Sequence, residues 1–396
     1  MFNKLDPAPA DPILGLSSAF KNDSNPNKIN LGVGVYQDSL GQTPILKSVS
    51  IAEKRILSRA TTKSYLAIEG TPEYNSTIQK LLLGDENEII AEGRAVSVQS
   101  PGGTGALRTA ADFINRHFPD ARIWLSQPTW ANHSKIFQSA GLEIETYPYF
   151  DPSQNKISFE AMIESLNKTK PGDIVLLHGC CHNPTGVDPS AEQWQEIGDL
   201  SYERGWIPLI DFAYQGFGDD LDQDAAGLRS LCRKGSELLI ASSFSKNFGL
   251  YQDRIGALTI IAATSEAALN SLSQIKIGIR TSYSNPPAHG AAIVTEILND
   301  SELRNIWNTE VDEMRNRISK MRKLFVNTLR EKGASRNFSY IAQQRGMFSY
   351  SGLTNDQVKS LRNDHSIYIV EGGRINVAGM TESNINTLCS AIISVL

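Results

Sequence analysis

The sequence predicts an α/β fold in which helices cover a mostly parallel β-sheet. Short apolar runs alternate with segments of helical periodicity along much of the 396-residue chain. Strands joined through helices lie parallel, and helices on both faces bury the sheet. Polar side chains directly follow several of the apolar runs. Because the carboxyl ends of parallel strands meet at one edge of a sheet, these residues predict a ligand site there.

The predicted elements alternate between the two types of secondary structure. The strands are short apolar runs, which cover residues 95–98, 123–125, 174–177, 207–210, 238–241 and 257–261. The helices cover residues 48–60, 133–140, 159–167 and 191–204. Pro72 suits the first turn of a further helix, because the N–H that proline lacks would be unpaired there.

Two glycine-containing segments adjoin these elements. Residues 101–107 form a glycine-rich turn into a helix, and the free N–H groups at such a helix start bind anions. Gly32 and Gly34 interrupt a strand-like run at 29–36. They either let a ligand or another backbone come close or mark a β-bulge.

The carboxyl-terminal part of the chain changes character. A long helix from about Leu303 to Leu329 is followed by short strands at 347–350 and 367–370. This pattern predicts a smaller α+β domain that the N-terminal residues complete.

The predicted domain organisation has three parts, which are an arm at 1–14, a small domain at 15–47 with 314–396, and a large domain at 48–313. Prolines prevent a helix in the arm. The arm either packs on a partner subunit or docks loosely as a terminus.

Charge and hydropathy exclude several classes of function. The chain has 38 basic and 43 acidic residues, a formal net charge of −5 and no long block of one sign. Such a chain is not expected to bind nucleic acid or an anionic membrane. The apolar runs are too short to span a bilayer, and the N-terminus lacks an apolar signal core. We therefore expect a cytoplasmic protein without membrane segments.

The four cysteines indicate neither a disulfide framework nor a metal site. They are Cys180, Cys181, Cys232 and Cys389, which are few for a chain of this length. Cys180 and Cys181 are adjacent and lack the usual spacing of metal ligands. We expect reduced thiols, as in the cytosol, and no bound metal.

The candidate for covalent chemistry is Lys246, which follows the strand at 238–241. Desolvation and nearby cations lower the pKa of a lysine and free its amine for reaction with a carbonyl group. Ser243 and Arg254 could hold a phosphate beside it. Taken alone, this segment is more typical of a surface lysine in a loop.

Other polar residues occupy equivalent positions after neighbouring strands. Asn183 follows the strand at 174–177, Asp211 and Tyr214 follow 207–210, and Trp130 follows 123–125. Each has a structural alternative: a turn for the asparagine, a helix cap for the aspartate and core packing for the two aromatic residues. Their joint occurrence at strand ends favours one shared site.

Seven segments give the chain a resemblance to a known family. They are LGVGVY (31–36), PGGTGAL (101–107), HGCCHNPTG (178–186), DFAYQGF (211–217), SSFSKNFGLY (242–251), YSNPPAHG (283–290) and GGRINVAGM (372–380). Together they resemble the aspartate aminotransferase family, whose members are class I, fold type I enzymes that use pyridoxal 5′-phosphate (PLP). The resemblance covers nearly the whole chain. It implies a large PLP domain, a small domain and a homodimer with shared active sites.

The resemblance also implies roles in cofactor binding. Lys246 would bind PLP covalently and then move a proton between the substrate Cα and the cofactor C4′. Asp211 would keep the pyridine nitrogen protonated, Tyr214 and Asn183 would hydrogen-bond the phenolic oxygen, and Trp130 would stack on the ring. The cofactor phosphate would be held by Gly103, Thr104, Ser243 and Arg254, with Tyr65 from the second subunit.

Further implied roles concern the substrate. Arg374 would grip the α-carboxylate, and Arg280 would reach the distal carboxylate across the dimer interface. Either arginine could instead be a surface side chain. His133 and His178 would support Asp211 from behind. The implied substrate contacts are Gly34, Trp130, Asn183, Arg280 and Arg374.

The activity implied is ping-pong transfer of an amino group from aspartate to 2-oxoglutarate, giving oxaloacetate and glutamate. The aromatic branch of the family keeps both arginines, so dual specificity stays open as an alternative. A PLP-sensing transcription regulator would need a basic DNA-binding module, for which we expect no space in this chain. A catalytically idle protein would not need every catalytic position filled.

Overall fold

The computed structural model describes residues 2–7 and 14–396. Within the predicted arm, Met1 and residues 8–13 lie outside the described residues. The described part contains fourteen α-helices: α1 Leu14–Asn22, α2 Lys47–Arg59, α3 Pro72–Leu83, α4 Glu88–Ala91, α5 Gly102–His117, α6 Asn132–Ser139, α7 Phe159–Leu166, α8 Ala191–Arg204, α9 Gln223–Ser230, α10 Ser265–Ser282, α11 Ala288–Asn299, α12 Ser301–Glu331, α13 Asn355–His365 and α14 Ile385–Ser394. None of these helices is both long and apolar enough to cross a membrane.

The same described residues contain thirteen β-strands: β1 Ile29–Asn30, β2 Ala95–Pro101, β3 Arg122–Gln127, β4 Glu143–Pro148, β5 Phe150–Asp151, β6 Lys156–Ile157, β7 Ile174–His178, β8 Ile207–Phe212, β9 Leu238–Ser243, β10 Ile255–Ile261, β11 Phe348–Tyr350, β12 Ile367–Tyr368 and β13 Arg374–Asn376. All six strands predicted for the central sheet are present. The strand-like run at 29–36 is shorter than its pattern indicated, because only Ile29 and Asn30 pair.

The central sheet has seven strands in the order β2-β10-β9-β8-β7-β3-β4. Strands β4, β3, β7, β8 and β9 are parallel, whereas β10 runs antiparallel to both β2 and β9. The prediction of an α/β fold with a mostly parallel mixed sheet is confirmed. The middle strands are buried along their whole length, which explains their continuous apolar runs.

Small side chains let helix α5 lie close to the sheet. Ala106, Ala110 and Ala111 are fully buried in an apolar core of the larger unit, beside Leu107 and Ile114. Each buried leucine or isoleucine contributes about 1.5–3 kcal/mol relative to an exposed one. This packing fixes the start of α5 at the sheet edge where β7, β8 and β9 end.

The chain divides into two compact units. The larger comprises Pro44–Asn183 and Val187–Arg315, and the smaller comprises the described residues of Met1–Thr43 with Pro184–Gly186 and Asn316–Leu396. In the smaller unit, β1 pairs with β12 and β11 pairs with β13. Compactness alone does not define an independently folding domain, so the predicted domain boundaries stay a prediction.

Candidate active site

Three neighbouring strands of the larger unit carry polar residues at their carboxyl ends. His178 ends β7 and lies opposite Asp211 of β8, and Ser243 ends β9. Because the strands are parallel, these residues emerge at the same edge of the sheet. The sheet thus brings together side chains that are far apart in sequence.

Asp211 is the buried acid of this edge. Its Oδ2 atom lies 3.0 Å from Nε2 of His133, which is itself fully buried. Burial alone would raise the Asp211 pKa, but the hydrogen bond from His133 and electrostatic interactions with His133, His178 and Lys246 hold that pKa below its ordinary value. Asp211 is therefore a stable anion in the site.

A hydroxyl group orients the histidine that holds this acid. Thr129 Oγ1 lies 2.8 Å from His133 Nδ1, on the opposite side of the ring from Asp211. Since a carboxylate only accepts hydrogen bonds, Nε2 of His133 donates to Asp211. In a neutral ring, Nδ1 then accepts from the Thr129 hydroxyl.

Lys246, Tyr214 and Asn183 lie beside this acid. The Lys246 Nζ atom is 4.8 Å from the centre of the Tyr214 ring. The Tyr214 hydroxyl is 3.5 Å from Nδ2 of Asn183. The Asn183 and Tyr214 side chains are buried and Lys246 is half-buried. The structure therefore brings together the amine, the acid, the hydroxyl and the amide predicted from strand ends.

The start of helix α5 forms a cradle suited to a phosphate. A Cβ atom on Gly103 would lie 2.9 Å from Ser243 Cβ, and one on Gly102 would lie 2.8 Å from Arg254 Cζ. Arg254 Nη1 donates to Ser245 Oγ at 3.3 Å. The glycines thus leave room for hydroxyl groups and a guanidinium beside free helix N–H groups, a donor set that fits a phosphate. Thr104 lies in the first turn of the same helix.

Trp130 and His178 complete the aromatic wall around His133. The Trp130 ring meets the His133 ring edge to face, with centres 5.2 Å apart, and the His178 ring lies 5.3 Å away. His178 is buried, and neither of its ring nitrogens has a hydrogen-bond partner. Burial and the nearby charge of His133 lower the His178 pKa to about 3, despite the opposite effect of Asp211. His178 is therefore neutral at physiological pH.

The smaller unit provides a separate carboxylate-binding candidate. Arg374 is buried, donates to Gly32 O at 2.6 Å and lies with its guanidinium carbon 4.2 Å from the centre of the Phe348 ring. A Cβ atom on Gly34 would lie 2.8 Å from this ring. The close neighbour of Gly34 is therefore the Phe348 side chain, and not the ligand or backbone that the sequence pattern predicted. Stacking and hydrogen bonding hold Arg374 in one orientation, which suits bidentate binding of a carboxylate.

Two predicted site residues lie on the surface of the chain. Tyr65 is 93% exposed. Arg280, in the last turn of α10, is also exposed and donates to the hydroxyl of Ser284. We call Asp211, Lys246, Tyr214 and Asn183 the strand-end cluster. The structure does not bring the side chain of Tyr65 or Arg280 into it.

Sequence reasoning missed several residues that shape the site. Sequence patterns did not single out Thr129, although its spacing of four residues from His133, just before helix α6, was a usable signal. Tyr149 stacks on His182 with ring centres 3.9 Å apart, and no sequence signal indicated this pair. Asp188 and Asp224, which bind loop backbone near Asn183 and Tyr214, carried no motif of their own.

Comparisons with known proteins agree closely over the full length. Residues 26–392 match the family described as aminotransferase class I and II. The chain is 54% identical to a curated aspartate aminotransferase of Escherichia coli, over all of both chains. It is 46% identical to an aromatic-amino-acid aminotransferase of Pseudomonas aeruginosa, covering 100% of this chain and 98% of that one.

Solved structures give the same result. An aromatic-amino-acid aminotransferase from Burkholderia pseudomallei, covalently bound to pyridoxal phosphate, superposes with a TM-score of 0.97. It is 47% identical, and the match covers 100% of this chain and 99% of that one. The cytoplasmic aspartate aminotransferase of Saccharomyces cerevisiae also superposes with a TM-score of 0.97, at 37% identity and 100% and 98% coverage.

Proposed function

Because the chain belongs to the class I and II aminotransferase family, we propose that it transfers the amino group of aspartate to 2-oxoglutarate. It is a PLP-dependent enzyme, and its products are oxaloacetate and glutamate. The observation that carries the proposal is the strand-end cluster, in which an amine and a histidine-bound carboxylate lie at one edge of the sheet. The full-length identity to aspartate aminotransferases supports aspartate as the substrate.

The residues of the larger unit fit PLP. When bound, PLP supplies an electron sink for the charge that develops as the substrate Cα loses a proton. Lys246 would hold it covalently, and Trp130 would cover its ring. The phosphate cradle would comprise Gly103, Thr104, Ser243 and Arg254. Tyr65 would join this cradle from a second subunit.

Asp211 and its neighbours would set the charge at the pyridine nitrogen. Since the Asp211 pKa is held below its ordinary value, the carboxylate is ionised at neutral pH and favours a proton on that nitrogen. His133 fixes the orientation of the carboxylate, and the neutral His178 packs behind it. Tyr214 and Asn183 would donate hydrogen bonds to the phenolic oxygen.

Lys246 would also carry the proton. Its amine would take the proton from the substrate Cα and return it to the cofactor C4′.

Two arginines would select the substrate. Arg374 would bind the α-carboxylate, and Arg280 would bind the distal carboxylate of aspartate or 2-oxoglutarate. The fixed orientation of Arg374 on Phe348 supports the first role. Gly34, Trp130 and Asn183 would line the same substrate site.

Aromatic amino acids are a second candidate substrate class. The similarity to the Pseudomonas aeruginosa and Burkholderia pseudomallei aromatic aminotransferases favours some activity on them. An enzyme of dual specificity would use Arg374 for both classes and Arg280 for dicarboxylates alone.

The enzyme would act as a cytoplasmic homodimer with shared active sites. The exposure of Tyr65 and Arg280 supports this arrangement, because within one chain neither side chain contacts the strand-end cluster. Within the described residues none of the four cysteines forms a disulfide, and three of them are buried, which suits a reducing compartment.

A titration of the purified holoenzyme with single substrates tests the function. Aspartate alone should shift the visible absorbance of the bound cofactor, and 2-oxoglutarate should then restore it. Lys246→Ala should bind PLP but show no such cycle, because the proton carrier is missing. No response to aspartate, with a clear response to phenylalanine, would replace the proposal by the aromatic alternative.

A further inference from the structure

The turn that follows Tyr214 is tied to one carboxylate. Asp224, in the first turn of α9, accepts hydrogen bonds from the backbone N–H groups of Gly216 (2.8 Å), Gly218 (2.9 Å) and Asp219 (2.9 Å). Hydrogen bonds from N–H groups to an ionised carboxylate are stronger than those between neutral groups. Asp224 therefore fixes the path of the chain directly after Tyr214.

Two glycines make this arrangement possible. Gly216 has a φ of +95°, which side-chain-bearing residues rarely adopt. A Cβ atom on Gly218 would overlap Oδ1 of Asp224 and lie 3.1 Å from its Cγ. The turn and the carboxylate thus fit each other closely, and a side chain at Gly218 would displace the carboxylate.

The same turn is bound on its other side to the segment of Lys246. Asn247 Nδ2 donates to Gln215 O at 3.2 Å, and Phe217 N donates to Tyr214 O at 3.0 Å. Tyr214 therefore lies between two anchors, one from Asp224 and one from the residue after Lys246.

A second carboxylate holds the segment before Asn183. Asp188 accepts from the backbone N–H groups of Cys181 (2.7 Å) and His182 (2.8 Å). Cys181 has a φ of +53°, a left-handed conformation that is strained for residues other than glycine. The two hydrogen bonds stabilise this strained backbone immediately before Asn183.

Electrostatics agree with a positioning role for Asp224. Burial, together with the negative charge of Asp188, raises the Asp224 pKa to about 6, against the effect of its three N–H donors. The free-energy cost of burying the Asp224 carboxylate is tolerated because the backbone N–H groups need a hydrogen-bond acceptor.

The nearby thiols do not turn Asp224 into a metal ligand. Ligand atoms of Cys180, Cys181 and Asp224 lie within 4.8 Å of one another. However, burial raises the pKa of the Cys180 thiol and disfavours the thiolate that a metal needs. The Asp224 oxygens are also already occupied by backbone donors.

We propose that Asp224 and Asp188 are positioning residues that hold the Tyr214 hydroxyl and the Asn183 amide at their separation and so tune the two donors to the cofactor. This inference rests on the proposed function, in which both groups donate to the phenolic oxygen. Removing the carboxylate of Asp224 or Asp188 should weaken the hydrogen bonds that the Tyr214 hydroxyl and the Asn183 amide donate. The bound cofactor should then keep its proton to a higher pH.

The test is a pH titration of the visible absorbance of the bound cofactor. The proteins are wild type, Asp224→Asn, Tyr214→Phe, the double variant and Asp222→Asn. Asp222 is a matched control, because it lies two residues earlier, is exposed and pairs only with Arg229 among the described contacts. Asp224→Asn should raise the titration midpoint, by about half a pH unit or more. Asp222→Asn should not change it.

The double variant separates positioning from a general loss of stability. If Asp224 acts through Tyr214, Asp224→Asn should cause no further shift in the Tyr214→Phe background. An equal shift in both backgrounds, or an unchanged midpoint in Asp224→Asn while Tyr214→Phe raises it, would overturn the inference and leave the proposed function intact. An unchanged midpoint in Tyr214→Phe would overturn the proposed role of Tyr214 and this inference with it.

Two milder variants cover the case in which Asp224→Asn does not fold. Gly218→Ala should displace the Asp224 carboxylate through its added methyl group and raise the midpoint in the same direction. Asp188→Asn should raise it through Asn183, and that shift should vanish in an Asn183→Ala background. Folded variants with wild-type midpoints would contradict the proposal.

Discussion

The strand-end cluster and the exposed pair formed by Tyr65 and Arg280 are built in opposite ways. In the cluster, Asp211 is buried and bound to His133, which Thr129 orients in turn. Tyr65 and Arg280 lie on the surface, and Arg280 contacts only a neighbouring hydroxyl among its described hydrogen bonds. One chain thus completes the part of the site that would hold the cofactor ring. In the proposed homodimer, another chain would complete substrate selection.

The difference has a physical origin. A buried carboxylate is tolerated only if partners satisfy it, so the fold must supply those partners itself. An exposed arginine stays hydrated and has no such desolvation cost, so the fold need not supply partners for its side chain. The cluster should therefore be sensitive to any change, whereas Arg280 should affect only the substrate that it contacts.

The largest expected effect is at Asp211. Asp211→Ala should lower turnover by several orders of magnitude, because without a nearby anion the pyridine nitrogen loses its proton and accepts charge poorly. Asp211→Glu retains the charge and should lose much less. The measurement is kcat for aspartate with saturating 2-oxoglutarate. Equal losses in both variants would show that the position matters for packing and not for charge.

A smaller and selective effect is expected at Arg280. Arg280→Ala should cost aspartate roughly 2–5 kcal/mol of transition-state binding, by analogy with truncated buried charge pairs. Phenylalanine has no distal carboxylate and should lose much less. The measurement is kcat/KM for both substrates. Arg204→Ala, which removes an exposed arginine bound to Asn167, is the matched control and should change neither value.

Parallel losses for aspartate and phenylalanine would contradict this selectivity. Arg280 would then serve cofactor binding or stability instead. Loss for aspartate alone would sharpen the comparison, because Arg280 would act on the substrate and leave the cofactor cluster unaffected.

Mixed dimers test whether the two regions belong to different chains. Lys246→Ala and Arg280→Ala chains, each inactive towards aspartate, should together regain about one quarter of wild-type activity, because half of the dimers are hybrids with one intact site. The control mixture is Lys246→Ala with Asp211→Ala. These residues lie in one cluster of the same chain, so no hybrid site regains both, and this mixture should stay inactive.

Recovery in neither mixture, with hybrids shown to form, would place Arg280 in the site of its own chain or outside the site. Recovery in both mixtures would contradict the assignment of Lys246 and Asp211 to one chain. Either result would remove the contrast between the two regions.

Sequence patterns predicted the elements that pack in a regular way. Pro72 begins α3 as expected, with Thr71 capping the helix by accepting from Tyr74 N at 3.2 Å. Helix α12 extends two residues beyond each predicted end. Helix α10 was not predicted, because it buries only Ala268, Ile275 and Ile279 and so has little apolar periodicity.

The sequence predicted only those site residues that follow the strands of the central sheet. Asp211, Lys246 and Asn183 were found because parallel strands bring their carboxyl ends together. Asp188 and Asp224 were not found, because their function depends on turn geometry that neighbouring segments impose. The roles of Tyr65 and Arg280 could not follow from the fold of one chain, since both side chains point to its surface.

The last expected effect concerns the stability of the buried cluster and not turnover. His133 has partners at both ring nitrogens, whereas His178, beside it, has none. Because the folded pKa of His178 is about 3, the folded protein does not protonate it at mildly acidic pH. The unfolded chain takes up that proton below about pH 6.5. Stability should therefore fall as the pH drops from about 6.5 towards 3, by roughly 1.4 kcal/mol per pH unit for this group.

His178→Phe removes this titration and keeps an aromatic ring in the space. Its urea-unfolding midpoint should fall less than that of wild type between pH 7 and pH 4.5, at fixed protein and PLP concentrations. His289→Phe, at a largely exposed position, should follow wild type. His182, whose pKa burial also lowers, keeps part of the acid sensitivity in every variant, so the expected result is a smaller slope and not its disappearance. Equal slopes in His178→Phe and wild type would mean that His178 gains a partner, such as a bridging water, that stabilises its protonated form.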